Sequence, residues 1–170
     1  MIRKTMALVA FTAATFMGVH VAWCEEPADQ AALIKAMDGA KVSLQQGLTA
    51  SQREGHSISA KFEIEDGKLQ LSVYTSKDGK YSEVIVDYTT GNIAKVEPIT
   101  GGEDLDDAKL QAAAMAKAKS ELNAAVDAAV KEVPGSRAVS VTPELKGNHS
   151  TASIHLLRGG KLQTITRQLD

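Results

Sequence analysis

"VDYTTGNI", residues 86–93, closes a run that alternates as a β-strand does and then turns sharply. Val84, Val86 and Tyr88 fall on one face of that run, and Glu83, Ile85 and Asp87 on the other. Thr89, Thr90 and Gly91 supply the turn. Asp87 or the threonine hydroxyls can accept hydrogen bonds from the reversing backbone, and Gly91 can take a positive φ. Two further runs precede this one. "SISAKFEIE", residues 57–65, sets Ile58, Ala60, Phe62 and Ile64 against Ser57, Ser59, Lys61 and Glu63. Asp66-Gly67 is a hairpin signal. "LQLSVYT", residues 69–75, then puts Leu69, Leu71 and Val73 on one face, and Asp78-Gly79 makes the second reversal. The three runs predict consecutive antiparallel strands with Gly67, Gly79 and Gly91 at their ends.

A helix is expected ahead of them. Leu33, Met37, Ala40, Leu44 and Leu48 recur at three- and four-residue steps across residues 28–54, although Gly39 and Gly47 weaken the pattern. The second half repeats the order. An alanine-rich stretch over 106–133 carries Leu110, Ala114, Ala118, Leu122, Val126 and Val130 at four-residue steps, and Pro134-Gly135 stops it. "RAVSVTPEL", "TASIHLLR" and "KLQTITRQLD" follow as strands. An offset of 80 superposes the turn glycines of the two halves, whereas an offset of 81 superposes their apolar faces. A slip of one residue would turn every side chain to the wrong side of a sheet, so the faces decide for 81. The fold class expected is α+β: two α-β-β-β units, each a helix packed on one side of a small antiparallel sheet. They span 28–98 and 108–170, with an acidic linker at 99–107. Glu103, Asp104, Asp106 and Asp107 there suit the start of a helix better than a metal site.

The chain has 170 residues, 44% hydrophobic and 24% charged, with only 4% aromatic, so its core must be built from Ala, Val, Ile and Leu. A net charge of −2 gives no general attraction for nucleic acid. Residues 1–24 read as a secretory signal peptide: Arg3 and Lys4, an apolar run from Met6 to Val21, then Ala22 and Cys24 placed for a cut before Glu25. The run is short and wrongly flanked for a membrane anchor. Cys24 is the only cysteine, so lipid modification competes with simple cleavage; Trp23 beside it is too large for that processing. The expectation is a soluble exported protein, periplasmic or secreted, without membrane insertion once the signal is removed. Removing residues 1–24 leaves 17 basic against 21 acidic side chains and no thiol for a disulfide.

"SLQQGL…GHSISAKFEIEDGKLQLSVYTSKDGKYSEVIVDYTTGNIAKVE" resembles a PepSY domain. The resemblance rests on Ser43-Leu44 at the helix, Asp78-Gly79-Lys80 in the hairpin, and Val86, Asp87, Thr90 and Gly91 in a closing "VDxxTG", followed by a short apolar strand. The second half resembles it less: Ile154-His155-Leu156 stands where an aromatic strand is usual, and Asp170 comes before any Thr-Gly. The resemblance implies an exported or membrane-associated binding module. Such modules occur in propeptides of thermolysin-like metallopeptidases, where they are thought to restrain the peptidase, and as free-standing exported proteins. The turn motif of Gly67, Gly79, Asp87, Thr90 and Gly91 is architectural, so it carries fold more securely than function.

The residue pattern offers no catalytic or metal constellation and implies no cofactor. His56, His149 and His155 lack helical metal-ligand spacing, and neither a nucleophile elbow nor a phosphate loop is written. Three readings remain. One is a non-catalytic regulator or inhibitor of an exported peptidase or other envelope protein; a second is a small-ligand carrier or sensor; a third is an enzyme of unrecognised chemistry. Tyr74, Tyr81 and Ile85 fall on the outer side of the first sheet and favour a protein partner, unless the second half covers them. The partner's identity and the oligomeric state are not written in the sequence.

Overall fold

The computed structural model describes residues 27–170. The signal-peptide expectation concerns residues 1–24 and lies outside the described residues. α1 (Pro27–Ala36) runs into a 3-10 turn (Met37–Gly39) and is followed by α2 (Leu44–Ser51). Four strands follow: β1 (His56–Glu65), β2 (Lys68–Lys77), β3 (Lys80–Val86) and β4 (Ile93–Ile99). α3 (Gly102–Met115) and α4 (Leu122–Glu132) come next, then β5 (Arg137–Lys146), β6 (His149–Arg158) and β7 (Lys161–Gln168). The result is a mixed α+β fold. Among the described residues, no helix is long and apolar enough to cross a membrane.

The strands do not form two small sheets. They form one antiparallel sheet of seven, in the order β4-β3-β2-β1-β5-β6-β7. β1 and β5 join the halves through a short ladder that pairs Ala60 with Val141 and Lys61 with Ser140. Both inner strands would otherwise present unpaired backbone groups, and pairing them leaves only β4 and β7 as edges. Beneath the join lies one apolar cluster drawn from both halves, including Leu44, Leu48, Phe62, Leu71, Val84, Leu122, Val126, Val141, Ile154 and Leu156.

Both long helices expected from periodicity are broken, and for the same reason. Lys41 and Val42 donate their N–H groups to Tyr88 O at 2.9 and 3.0 Å, at the end of β3. Lys119 and Ser120 donate theirs to Leu169 O at 2.6 and 2.9 Å, just beyond β7. A carbonyl remote in sequence thus takes up the backbone donors that a continuous helix would have used. After the first break, α2 restarts with a capping box. Ser43 Oγ accepts from Gln46 N at 3.2 Å and Gln46 Oε1 accepts from Ser43 N at 2.8 Å. The Ser-x-x-Gln spacing was the sequence signal for that start.

The strand faces are as alternation predicts. Val84 and Val86, Leu71 and Val73, and Ala60 and Phe62 are all buried together. α2 lies against this apolar face so closely that a Cβ at Gly47 would stand 2.7 Å from Leu71 Cδ2. α3 is different. Gln111 receives a 2.6 Å hydrogen bond from Ser59 Oγ, and Asp104, Asp107 and Ala108 face Lys61, Tyr74 and Thr142, so this helix crosses the polar side of the sheet. Helices therefore cover both faces, not one. The second apolar stripe holds at Ala114, Leu122 and Val126, which are buried, but fails at Leu110, which is 68% exposed, while Ala108 and Met115 are buried in α3 instead. In a helix so rich in alanine, the buried side is chosen by close approach to the sheet rather than by a stripe of large residues. The acidic run expected as a linker provides Glu103 and Asp104 to the first turn of α3, where their charge suits the helix dipole.

Several local features recur in the two halves. The pairing of β1 with β2 is interrupted by a bulge between Ser57 and Ser59, and that of β5 with β6 by one between Ala138 and Ser140. The bulged residues, Ile58 and Val139, stand 81 positions apart. α2 and α4 meet across the join through two hydrogen bonds, Gln45 Nε2 to Asp127 Oδ1 at 3.1 Å and Asn123 Nδ2 to Thr49 Oγ1 at 2.9 Å. A shift of 78 residues carries either bond onto the other.

Candidate functional site

The turn between β3 and β4 is held by Asp87. Its Oδ1 accepts from Thr89 N and Thr90 N, both at 2.8 Å, while Gly91 N donates to Asp87 O at 2.8 Å. Thr90 Oγ1 accepts from Asn92 N at 3.3 Å, and Gly91 takes φ +78°. Asp66-Gly67 and Asp78-Gly79 have positive φ at both residues, as type I′ hairpin turns require. Gly91→Val is expected to cost about 2 kcal/mol, because a β-branched side chain is poorly tolerated at left-handed φ. Equilibrium denaturation in urea measures it, and an unchanged midpoint would show that the turn relaxes freely.

The two amide donors from Thr90 and Thr89 hold the Asp87 carboxyl below its ordinary pKa. A depressed folded-state value means that this contribution is complete above the unfolded pKa of about 3.9 and fades as pH falls through the folded value. Asp87→Ala should therefore lower the melting temperature at pH 7, and the gap from the parent protein should close progressively below about pH 4. A gap that persists in strong acid would assign the effect to something other than the carboxylate.

The residues expected at a partner face lie on the polar side of the sheet. Cross-strand pairing sets Tyr74 opposite Ser59 and Glu83, Tyr81 opposite Ser76 and Ile99, and Ile85 opposite Ser72 and Lys95. Tyr74 is drawn under α3, where it borders a cavity of about 30 Å³ with Ser59, Lys61, Asp104, Gln111 and Thr142. Burial first, then the charges of Glu83, Glu63, Asp104 and Glu65, push its phenol far above the ordinary value, so it remains a neutral O–H donor. Lys61 Nζ stands 5.6 Å from the Tyr74 ring centre and 2.6 Å from Glu63 Oε2. Tyr81 and Ile85 stay half-exposed. α2 packs on β3 from the apolar side, while α3 packs on β1, β2, β5 and β6. The second half thus roofs Tyr74 and leaves Ile85 and Tyr81 half-buried, with Tyr81 packed in part against the core.

The histidines among the described residues are dispersed. His56 Nδ1 lies 3.7 Å from Glu121 Oε2, His149 Nδ1 bonds Asp170 Oδ2 at 2.8 Å, and His155 Nδ1 bonds Ser140 Oγ at 3.1 Å. Among the described residues, no group of three or more His, Cys, Asp or Glu is placed to hold a metal ion.

No family model, no curated protein and no solved structure matches this chain. Its function must be argued from its own surfaces. One of these had no sequence signal: a cleft of about 340 Å³ where the end of α2 and the start of β1 meet the start of α4. The strand bulge and the helix restart that form it both depend on contacts distant in sequence.

Proposed function

We propose that the protein is an exported, non-catalytic binding module of PepSY type. In this reading it is a tandem of two related units, 28–98 and 108–170, each an α-β-β-β core with its leading helix broken in two, the first extended by a fourth strand, β4. The matching bulges at Ile58 and Val139, and the interchangeable pair of bonds between α2 and α4, support that duplication. The partner is a protein of the cell envelope, with an exported peptidase as the leading candidate.

The observation that carries the binding role is the half-exposed pair Tyr81 and Ile85 on a strand face that α3 leaves open, beside half-exposed Ile99 of edge strand β4. Aromatic and aliphatic side chains on a sheet already fixed by its core offer contact area at little cost in ordering. A free module also lacks the effective concentration of a covalently linked propeptide, so its affinity must come from this interface.

The test is titration of the protein against a co-purifying exported peptidase, following binding and peptidase activity together. Saturable binding is expected, weakened at least about tenfold by Ile85→Asp, which puts a charge into the apolar centre of the contact. Replacing His149 and His155 should leave it unchanged. Equal binding by the Ile85→Asp variant would remove this face from the interface.

A further inference from the structure

We propose that β7 pairs edge to edge with β7 of a second copy of this chain, antiparallel and centred on Ile165, so that two seven-stranded sheets become one. The two edges of the sheet are not alike. β3 is covered by β4, but β7, which stands 81 positions after β3, has no strand beyond it among the described residues. β6 and β7 pair without a shift from Thr151 and Gln168 to Arg158 and Lys161, so this edge is long and regular. Leu162, Thr164, Ile165 and Thr166 give it a strand-forming composition, and its charges, Lys161 and Arg167, stand near its two ends.

The turns decide which backbone groups face outward. The two-residue turns Asp78-Gly79 and Gly159-Gly160 close on the pairs Lys77–Lys80 and Arg158–Lys161, and hydrogen-bonded pairs alternate along each ladder from there. In β7, Lys161, Gln163, Ile165 and Arg167 therefore bond β6, and Leu169 N donating to Ser150 O at 2.9 Å keeps the same phase. Leu162, Thr164, Thr166 and Gln168 turn their N–H and C=O groups outward. In β4 the same alternation turns Val96 and Pro98 outward, and Pro98 has no N–H to offer. A bulge between Ile85 and Val86 also bends that edge. Proline and a bulge are the devices that keep an edge from pairing, and β7 has neither.

A second copy fits this edge in one register. A twofold axis normal to the sheet keeps the apolar side of one copy level with that of the other, so only residues of the same side can oppose. Centring on Thr164 would set Lys161 against the partner's Arg167 and leave Gln168 unpaired. Centring on Ile165 sets Ile165 against itself, Thr164 against the partner's Thr166, Gln163 against the partner's Arg167 and Leu162 against the partner's Gln168. No like charges meet, and every outward N–H and C=O of β7 finds a partner. Ile165, packed at the margin of the core, gains apolar contact. The sheet already holds a junction of this kind, because β1 and β5 pair Ala60 with Val141, two residues 81 positions apart, so that like strands meet about a local twofold. Tyr81 and Ile85 lie towards the opposite edge, and the dimer would carry two such faces at its far ends.

Sedimentation velocity on the protein purified from its host, over a range of concentrations, tests this. A monomer–dimer equilibrium is expected, with half the chains paired by about 100 µM. Thr164 and Thr166 are exposed, so substitutions there should keep the parent melting temperature. Thr164→Lys combined with Thr166→Lys sets like charges opposite one another in both copies and should weaken the dimer at least about tenfold. Thr164→Glu combined with Thr166→Lys sets opposite charges there and should dimerise at least as tightly as the parent. Monomers up to about 1 mM would overturn the proposal, and would leave the edge to an extended segment of some other protein. Equal weakening by the two double variants would overturn the register, and a dimer that the double lysine variant leaves intact would place the interface elsewhere. Because β7 contains neither Tyr81 nor Ile85, failure here would leave the protein-partner reading standing, and the reverse holds as well.

Discussion

Leu71→Ala and Ile154→Ala are each expected to cost about 3–4 kcal/mol, and both should move the same unfolding transition. Each side chain is fully buried, one in the first half of the chain and one in the second, and a single apolar cluster contains both. Truncation removes the transfer free energy of the lost methyl groups and leaves a cavity that a sheet with a shared core fills poorly. The three tyrosines, Tyr74, Tyr81 and Tyr88, all lie in the first half, so their ring resonances report on that half alone. Ile154→Ala should shift the urea midpoint read from those rings as much as the midpoint read from far-UV circular dichroism. Tyrosine signals that keep the parent midpoint while the second half melts early would show two independent folding units.

Val141→Asp should be worse, at least about 4 kcal/mol, because it places a carboxylate where no partner can reach it. Val141 is fully buried and faces Ala60 in the short ladder that joins the halves. The introduced group would have a raised folded-state pKa, so its penalty is complete above that value and eases as pH falls and the acid becomes neutral. Thermal melting between pH 4 and 8 reads both the loss and its partial relief. A parent-like melting temperature at pH 7 would mean that water reaches the join, and that β1 and β5 are less tightly paired than their register indicates.

The strands β1–β3 and β5–β7, their turns and their buried sides were determined by the sequence alone, whereas the α-β-β-β expectation left out β4 as a fourth strand of the first half. An alternation of period two and an Asp-Gly pair act within a few residues, so Leu69, Leu71, Val73 and Val84 could only face one way once the hairpins closed. The partner-face residues were legible for the same reason as far as their side of the sheet, but not their cover. Tyr74 is roofed by a helix that begins 28 residues later, and nothing local to it says so. The helix breaks also escaped, because the carbonyls that take up the freed donors belong to Tyr88 and Leu169. The union of β1 with β5 was equally hidden, since two open strand edges on separate units look alike whether they meet each other or a partner. Periodicity records what a residue does to its near neighbours. The joining of the sheet, the crossing of α3 over its polar side and the cleft at α4 were decided only when distant segments met, because the energies that select them are packing and hydrogen bonding across the whole chain.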